Sequence, residues 1–304
     1  MVKRFIKSFL TFIIRLFGKI LKRLKILKFF IDNLKLIQLE KKYFINEVSN
    51  FLKKEKVIFL DVGSLGGIEP ELIKYQKFLK IIFVEPNKKN DISLKNDEKL
   101  ISNALWSKKE KKNLYITKNP AGSSFYKPSD IGFKFYFNSN KYYENYKVIN
   151  FNQYSCSTIK IELQKLNIPQ IDLLKIDTQG SEYDVLKGMG KKLKPLFVKC
   201  EVQIFPLYKD VPLWSKILNL LDDLGYISID MLSLGASENH MPVEADMYFI
   251  PNFFKNKEIF NDREDKFISI MLMHNQIRPL KIIANTLNFK NKFLINHLND
   301  SYFH

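Results

Sequence analysis

Seven short apolar runs, separated by polar or helical stretches, form the main pattern of this chain. Runs that are apolar on both faces are typical of strands buried in a parallel sheet. Their alternation with helical stretches indicates a single sheet with helices on both faces. We therefore predict an α/β sheet of seven strands, mostly parallel, with an insertion after the third strand. The predicted strands are residues 57–62, 81–84, 100–105, 172–177, 196–202, 227–231 and 245–250.

The first part of the chain carries a helical pattern of a different kind. Apolar residues recur at spacings of three and four from Phe5 to Leu34, and Arg and Lys fall on the opposite side. No apolar run reaches the length of a spanning helix, so the pattern favours either a helix lying in a membrane interface or one packed on protein. We predict a basic amphipathic helical segment at 1–48, a main domain at 49–255 and a helical tail at 256–304.

Charge is concentrated in that first segment. Of the net charge of +17, residues 1–42 contribute +10, from twelve Lys or Arg against Asp32 and Glu40. A basic character confined to one end gives no support to nucleic-acid binding by the main domain, but it suits an anionic membrane surface. Cys156 and Cys200 are too few for a metal site, and no signal peptide is convincing, which favours a cytoplasmic location.

A glycine turn follows the first predicted strand and is the best candidate for a cofactor site. Asp61 precedes Gly63 and Gly67, a helix is expected from Glu69 onwards, and Glu85 ends the next strand. An acid about twenty residues beyond such a turn is placed to hydrogen-bond the ribose of a nucleoside cofactor. The spacing, with an acid before the glycines, resembles the first motif of S-adenosylmethionine (SAM) methyltransferases. The alternative is a turn that binds no ligand.

A polar residue ends each of the first five predicted strands. The carboxyl ends of parallel strands meet at one edge of a sheet, where ligands of open α/β sheets bind. We therefore expect these side chains to surround one site, with His240 in a later loop as a further candidate base because of its ordinary pKa. The five residues are Asp61, Glu85, Asn103, Asp177 and Glu201.

The stretch from Lys108 to Tyr154 is predicted to lie over the sheet as the insertion. It contains Gly122, Ser123 and Ser124 and an aromatic, polar loop. Loops of such length inside a compact domain are commonly lids or binding elements. Further on, Ser181 is predicted to cap a helix that begins after the fourth strand, with a carboxylate three residues later in an acidic capping box.

Taken together, the motifs resemble the FkbM-type SAM-dependent methyltransferases over roughly residues 57–251. The resemblance implies a Rossmann-like class I methyltransferase sheet and transfer of a methyl group from SAM to a hydroxyl, usually of a sugar or natural product. Gln179 stands where many members carry a further Glu. The motifs are FLDVGSLGG, IIFVEP, NALWS, DLLKIDTQGSEYDVLKG, VKCEVQIFPLYKD and ADMYFIP.

Methyl transfer to a neutral hydroxyl requires a base as well as alignment of the reactants. Asp177, placed next to the reactive end of the cofactor, is the first candidate, and it could instead simply hold the cofactor. Glu201 could share the catalytic task or bind sugar hydroxyls. Substrate contacts are predicted for Ser123, Ser124 and Glu182, although such serines more often simply form a turn and such a glutamate more often simply stabilises a helix start.

The sequence thus predicts a SAM-dependent O-methyltransferase with a small-molecule or glycan acceptor, as in polysaccharide biosynthesis. The cofactor-binding residues are expected to be Asp61, Gly63, Gly67, Glu85, Asn103 and Asp177, and no metal ligands are predicted. The alternative is a catalytically inactive, membrane-associated protein with the same fold that binds SAM or a glycan.

Overall fold

The structure is a computed structural model, and it describes residues 44–53, 55–87, 94–136, 144–233 and 242–298. The chain divides into two compact units, residues 1–50 and 51–304. Of the first unit, the described residues 44–50 are helical. The predicted amphipathic helix at 1–34 lies outside the described residues, and the predicted domain boundaries remain predictions.

The second unit is built on a seven-stranded sheet in the order β3-β2-β1-β7-β8-β10-β9. Strands β3, β2, β1, β7 and β8 are mutually parallel, and β10 runs antiparallel to both β8 and β9. This is the predicted mostly parallel α/β sheet of a Rossmann-like fold, so the fold prediction is confirmed. The strands are β1 (Val57–Val62), β2 (Leu79–Val84), β3 (Glu98–Ile101), β7 (Leu173–Ile176), β8 (Phe197–Gln203), β9 (Tyr226–Ser233) and β10 (Glu244–Pro251).

Helices cover both faces of this sheet. On one face, α2 (Ile159–Lys165), α3 (Glu182–Met189) and α4 (Trp214–Asp223) pack their apolar sides on the main hydrophobic core. On the other face, the tail forms α5 (Glu264–Met273), α6 (Ile277–Thr286) and α7 (Lys292–Asn296). His274, which follows α5, stacks on Phe197 of β8 with ring centroids 4.6 Å apart. The tail therefore belongs to the packed body of this unit.

The insertion forms a second, three-stranded sheet in the order β4-β6-β5, which we call the insertion sheet. Its strands are β4 (Ala104–Leu105), β5 (Glu110–Thr117) and β6 (Val148–Ser157). A short helix, α1 (Asp130–Tyr136), follows β5 after a 3₁₀ turn at Pro120–Gly122. β4 pairs in parallel with the end of β6, which connects the insertion sheet to the chain leaving β3.

Two local predictions are wrong. The predicted third strand at 100–105 is divided into two. β3 ends at Ile101, and Ala104 and Leu105 form β4, which pairs with β6 in the insertion sheet. The helix expected from Glu69 is a 3₁₀ helix at Ile73–Phe78. Gly63, Gly66 and Gly67 have positive φ and keep the start of this segment in turns, so only a short 3₁₀ helix precedes β2.

Within the described ranges, no helix has the length and apolar character needed to cross a bilayer.

Candidate active site

A cavity of about 540 Å³ opens at the carboxyl ends of β1, β2 and β7. Its volume falls within the range typical of small-molecule sites. The main sheet contributes the glycine turn after β1, Glu85 after β2 and Asp177 after β7. The insertion contributes another part of the wall, with Leu114 of β5 and, from the segment after β5, Pro120, Ala121, Ser123 and Phe125.

The glycine turn shapes the floor of this cavity. Gly63 has φ +85°, and a Cβ there would collide with the backbone carbonyl oxygen of Asp177, so the turn can approach β7 closely because this residue is glycine. Gly66 and Gly67 also have positive φ, and a Cβ on either would meet nothing within 4 Å. Their backbone therefore faces open cavity space that a ligand can approach closely.

The other end of the cavity suits a nucleoside. Glu85 lies just beyond β2 on the cavity wall, and its Oε1 accepts a hydrogen bond from the backbone N–H of Asn87 at 2.7 Å. Apolar contacts are available nearby from Ala104 and Leu105. A carboxylate for ribose hydroxyls beside an apolar surface for a base is the donor set expected for SAM.

Asn103 was predicted to be the third polar residue of this site, and the structure corrects that prediction. Its side-chain amide donates to Glu162 Oε1 at 3.2 Å, and it lines a separate shallow pocket with Lys165. The reason is the early end of β3, which turns Asn103 away while the two residues after it face the cavity.

Asp61 is the second correction. Its side chain is fully buried beneath the glycine turn and is not part of the cavity wall, so it cannot meet the ammonium group of a cofactor directly. Lys175 of β7 supplies the counter-charge, with Nζ 3.3 Å from Asp61 Oδ1. Burial raises the pKa of Asp61 to about 6, whereas Lys175 acts to lower it.

Lys175 is a functional candidate that the sequence reasoning missed. Lys175 lines the cavity, and its Nζ lies 3.5 Å from Asp177 Oδ2 and 3.3 Å from the carbonyl oxygen of Gly63. Burial acts to lower the pKa of Lys175, but the carboxylates of Asp61 and Asp177 raise it by more, so the pKa lies above its ordinary value. The signal in the sequence was a single charge inside the otherwise apolar strand β7.

Asp177 lies on the cavity wall directly after β7, as predicted, with its side chain 37% exposed. The side-chain amide of Gln179 donates to Asp177 Oδ1 at 3.1 Å and to Glu201 Oε1 at 2.8 Å. Asp177 is thus held on one oxygen by Gln179 and on the other by Lys175. This leaves a carboxylate that is oriented and still accessible from the cavity.

Glu201 was predicted to act in catalysis or bind substrate, but its carboxylate lies behind Gln179 and is not part of the cavity wall. Burial raises the pKa of Glu201 well above its ordinary value, and Asp177 and Glu244 add to this effect. Glu201 therefore contacts the Gln179 amide and not the cavity, because the Gln179 side chain lies between the ends of β7 and β8.

Glu182 is also buried and has a structural role in place of the predicted substrate contact. Its Oε1 accepts hydrogen bonds from the backbone amides of Thr178 and Gly180 at 2.8 and 3.0 Å. Burial raises the pKa of Glu182 to about 7, although these amides act to lower it. The expected capping box is absent at this helix start, because Ser181 makes no side-chain cap bond and Asp184 accepts from the Tyr126 hydroxyl instead.

The two serines predicted to contact substrate differ. Ser123 lines the cavity, and its Oγ accepts from the Thr117 amide at 3.2 Å. Ser124 is fully buried, and its Oγ donates to the carbonyl oxygen of Gln179 at 2.6 Å. Ser124 therefore ties the insertion to the turn after β7 and does not face a substrate. His240 lies outside the described residues.

Comparison with known families agrees with the resemblance seen in the sequence motifs. Residues 69–228, just over half of the chain, match the model of the methyltransferase FkbM domain. The chain belongs to the FkbM methyltransferase family. The match includes Glu85, Asp177 and Gln179, and it begins just after the glycine turn.

The membership confirms the resemblance and identifies the protein as a SAM-dependent methyltransferase. The donor set of the cavity fits that cofactor: glycines with open space above them, a carboxylate after β2, an apolar strip and charged groups after β7. No curated protein matches the chain.

Two solved structures are similar to this chain at low identity. One is a TehB-like SAM-dependent methyltransferase from Corynebacterium glutamicum, with 7% identity, a TM-score of 0.32 and coverage of 67% of this chain and 87% of that one. The other is a precorrin-6y C5,15-methyltransferase from Geobacter metallireducens, with 12% identity, a TM-score of 0.31 and coverage of 69% and 86%.

Proposed function

We propose that this methyltransferase acts on a hydroxyl group, of a sugar, glycan or secondary metabolite, and that Asp177 accepts the hydroxyl proton. The observation that carries the proposal is the Asp177 carboxylate, which lies on the cavity wall with one oxygen bonded to Gln179 and the other beside Lys175. A neutral hydroxyl needs such a base, since its oxygen becomes a good nucleophile when its proton is removed.

The other acids on the cavity wall are less suited to this task. Glu69 is paired with Lys199, with 2.6 Å between Oε1 and Nζ. Glu85 lies at the end of β2, at the nucleoside end of the cavity, where we assign it to the ribose hydroxyls. Asp177 is the acid at the strand end nearest β8, on the side away from the ribose position.

SAM, when bound, supplies a methyl group on a positively charged sulfur. The backbone of Gly66 and Gly67 would let it approach the turn, Glu85 would hold its ribose, and Lys175 would face the carboxylate of its amino-acid part. Ser123 and Phe125 on the insertion wall then offer a polar and an apolar contact to an acceptor. The cavity lies between the ends of the main-sheet strands and the insertion, which would bring the reactants together and favour their alignment.

Asp177→Asn tests the proposal because it keeps the shape of the side chain and removes the base. We expect methyl transfer from labelled SAM to a panel of carbohydrate and small-molecule hydroxyls to fall by about 10²–10⁴-fold. Calorimetric affinity for S-adenosylhomocysteine should stay within a few fold of wild type. Asp223→Asn, an exposed change at the end of α4, is the matched control and should leave transfer unchanged. Transfer close to wild type in Asp177→Asn would rule out this base.

We further propose that residues 1–34 bring the enzyme to the cytoplasmic surface of an anionic membrane. The support is the apolar stripe with a cationic opposite side in the sequence. Each cation near anionic headgroups contributes roughly 1 kcal/mol, and salt weakens this contribution.

Co-sedimentation with anionic and neutral vesicles tests this attachment. The intact chain should bind anionic vesicles at low salt, and a chain starting at Lys42 should not. Equal binding by both chains, or no binding by the intact one, would refute it.

A further inference from the structure

The side chain of Gln179, on the cavity wall, makes hydrogen bonds with three other side chains. Its Nε2 donates to Asp177 Oδ1 and Glu201 Oε1, and its Oε1 lies 3.1 Å from the Tyr208 hydroxyl. That hydroxyl hydrogen is shared with the carbonyl oxygen of Gly122 at 3.0 Å. The residue therefore links the ends of β7 and β8 with the insertion.

The amide is matched to these partners atom by atom. Two N–H groups face two carboxylates, and the amide oxygen faces a hydroxyl donor, so both donors and the acceptor of the side chain are used. A carboxylate in the same place would have no hydrogen to donate and would lie beside Asp177, where like charges repel. The site therefore selects a neutral amide at this position.

The backbone of Gln179 is also unusual. Its φ is +57°, in the left-handed region that side chains larger than Asn rarely adopt. The Ser124 hydroxyl bonds the Gln179 carbonyl oxygen and holds the turn in this form. Residues kept in such a conformation cluster at functional sites, and glycine, which would adopt it without strain, does not supply the amide.

We propose that Gln179 is a positioning residue of the methyl-transfer site: its amide fixes the Asp177 carboxylate toward the cavity by bridging it to Glu201. This rests on the proposed function, in which Asp177 accepts the hydroxyl proton. Lys175 holds the other oxygen of Asp177, so the carboxylate is fixed from both sides. Gln179 thereby determines the alignment of the base, and Glu201 serves as its anchor behind the wall.

Gln179→Gly is the first test, because glycine fits the left-handed backbone without strain and removes the whole side chain, including its amide. Misalignment of a reacting group costs on the order of 10²-fold in rate. We expect kcat to fall by that order while KM for SAM and the affinity for S-adenosylhomocysteine change less than about threefold. An unchanged kcat would overturn the proposal, as would a loss confined to cofactor affinity.

Gln179→Glu is the matched variant of equal size. It can still accept from Tyr208, so a purely structural link to the insertion is preserved. Asp177 interacts with the charges of Lys175, Glu182, Glu201 and Glu244, and a further carboxylate at position 179, beside Asp177 and Glu201, favours retention of a proton. We expect the acid limb of the kcat profile to move to higher pH by about one unit or more. An unmoved profile with wild-type kcat would overturn the proposal.

Crystal structures of the wild type and Gln179→Gly with S-adenosylhomocysteine give a readout that needs no acceptor. We expect the Asp177 carboxylate to turn away from its wild-type rotamer in the variant. An unchanged rotamer would refute positioning by Gln179. If the wild type transfers no methyl group to any hydroxyl, the O-methylation proposal fails, and these structures still decide whether Gln179 orients Asp177.

Discussion

Two buried lysines lie side by side on β7 and β8 and differ in what they do. Lys175 and Lys199 are register partners in the parallel pair, and each bridges two carboxylates. The contacts of Lys199 are short: 2.6 Å to Glu69 Oε1 and 3.0 Å to Asp246 Oδ2. The contacts of Lys175 with its two acids are 3.3 and 3.5 Å.

The surroundings explain this difference. Nζ of Lys199 donates to both carboxylates at hydrogen-bonding distance, and its side chain lies among strand and turn residues of the packed body. Lys175 is the more buried of the two, with 8% side-chain exposure against 12% for Lys199, but it lines the cavity. Its two acids also differ, because Asp61 is fully buried and Asp177 is open to the cavity. The comparison indicates that Lys199 has a structural role, since it connects Glu69, in the segment after β1, to Asp246 of β10. Lys175 instead contributes a positive charge to the cofactor site.

Lys175→Met should have the largest effect. Without its cation, Asp61 remains as a buried carboxylate with no counter-charge, which costs about 3–5 kcal/mol in the free energy of unfolding. Affinity for S-adenosylhomocysteine should also fall, because the cavity loses the positive charge that β7 contributes to it. Urea unfolding and calorimetry measure the two effects. Lys175→Met combined with Asp61→Asn should recover stability without recovering affinity; recovery of both would show that Lys175 serves Asp61 alone.

Lys199→Met should have a smaller effect and a different profile. Its partners Glu69 and Asp246 are partly accessible, at 18% and 16% side-chain exposure, so water reaches them when the cation is removed. We expect a loss of about 1–3 kcal/mol in the free energy of unfolding. Affinity for S-adenosylhomocysteine should change less than threefold. A greater loss of affinity here than in Lys175→Met would reverse the assignment of the two lysines.

The smallest expected effect concerns His274, which stacks on Phe197 and Tyr248 near Lys199. Burial lowers its pKa to about 3, and Lys199 adds to this. Below an unfolded pKa near 6.5 the unfolded chain binds a proton that the native state refuses, so stability falls as the pH falls from 6.5 towards 3. From pH 7 to 6 the cost is under about 1 kcal/mol.

His274→Phe isolates this contribution, because it keeps the stacked ring and removes the titrating group. Raised pKa values of Asp61 and Glu182 act in the opposite direction over part of this range, so the measurement is the difference between wild type and variant. Urea unfolding at several pH values should show a wild-type loss on acidification that the variant lacks. Identical pH dependence would mean that His274 titrates normally.

Much of the site was predictable from the strand ends. Asp177, Glu85 and the glycines follow apolar runs, and parallel strands must bring their carboxyl ends to one edge, so their proximity follows from the pattern. The predictions that Glu201 and Asp61 line the site were wrong for the same reason. Being near a strand end does not say whether a side chain reaches the cavity or lies beneath the turn, and a shift of one residue along a strand reverses its face.

By itself the sequence determined the sheet, its parallel core, the place of the insertion and the family, because these follow from the order of apolar runs and from local motifs. Tertiary structure alone decided the partners of the charges. Lys175 meets Asp61 and Asp177, and the Gln179 amide meets Glu201, across strands that are distant in the chain. Such pairings depend on register and on atomic distances, which hydrophobic periodicity does not encode.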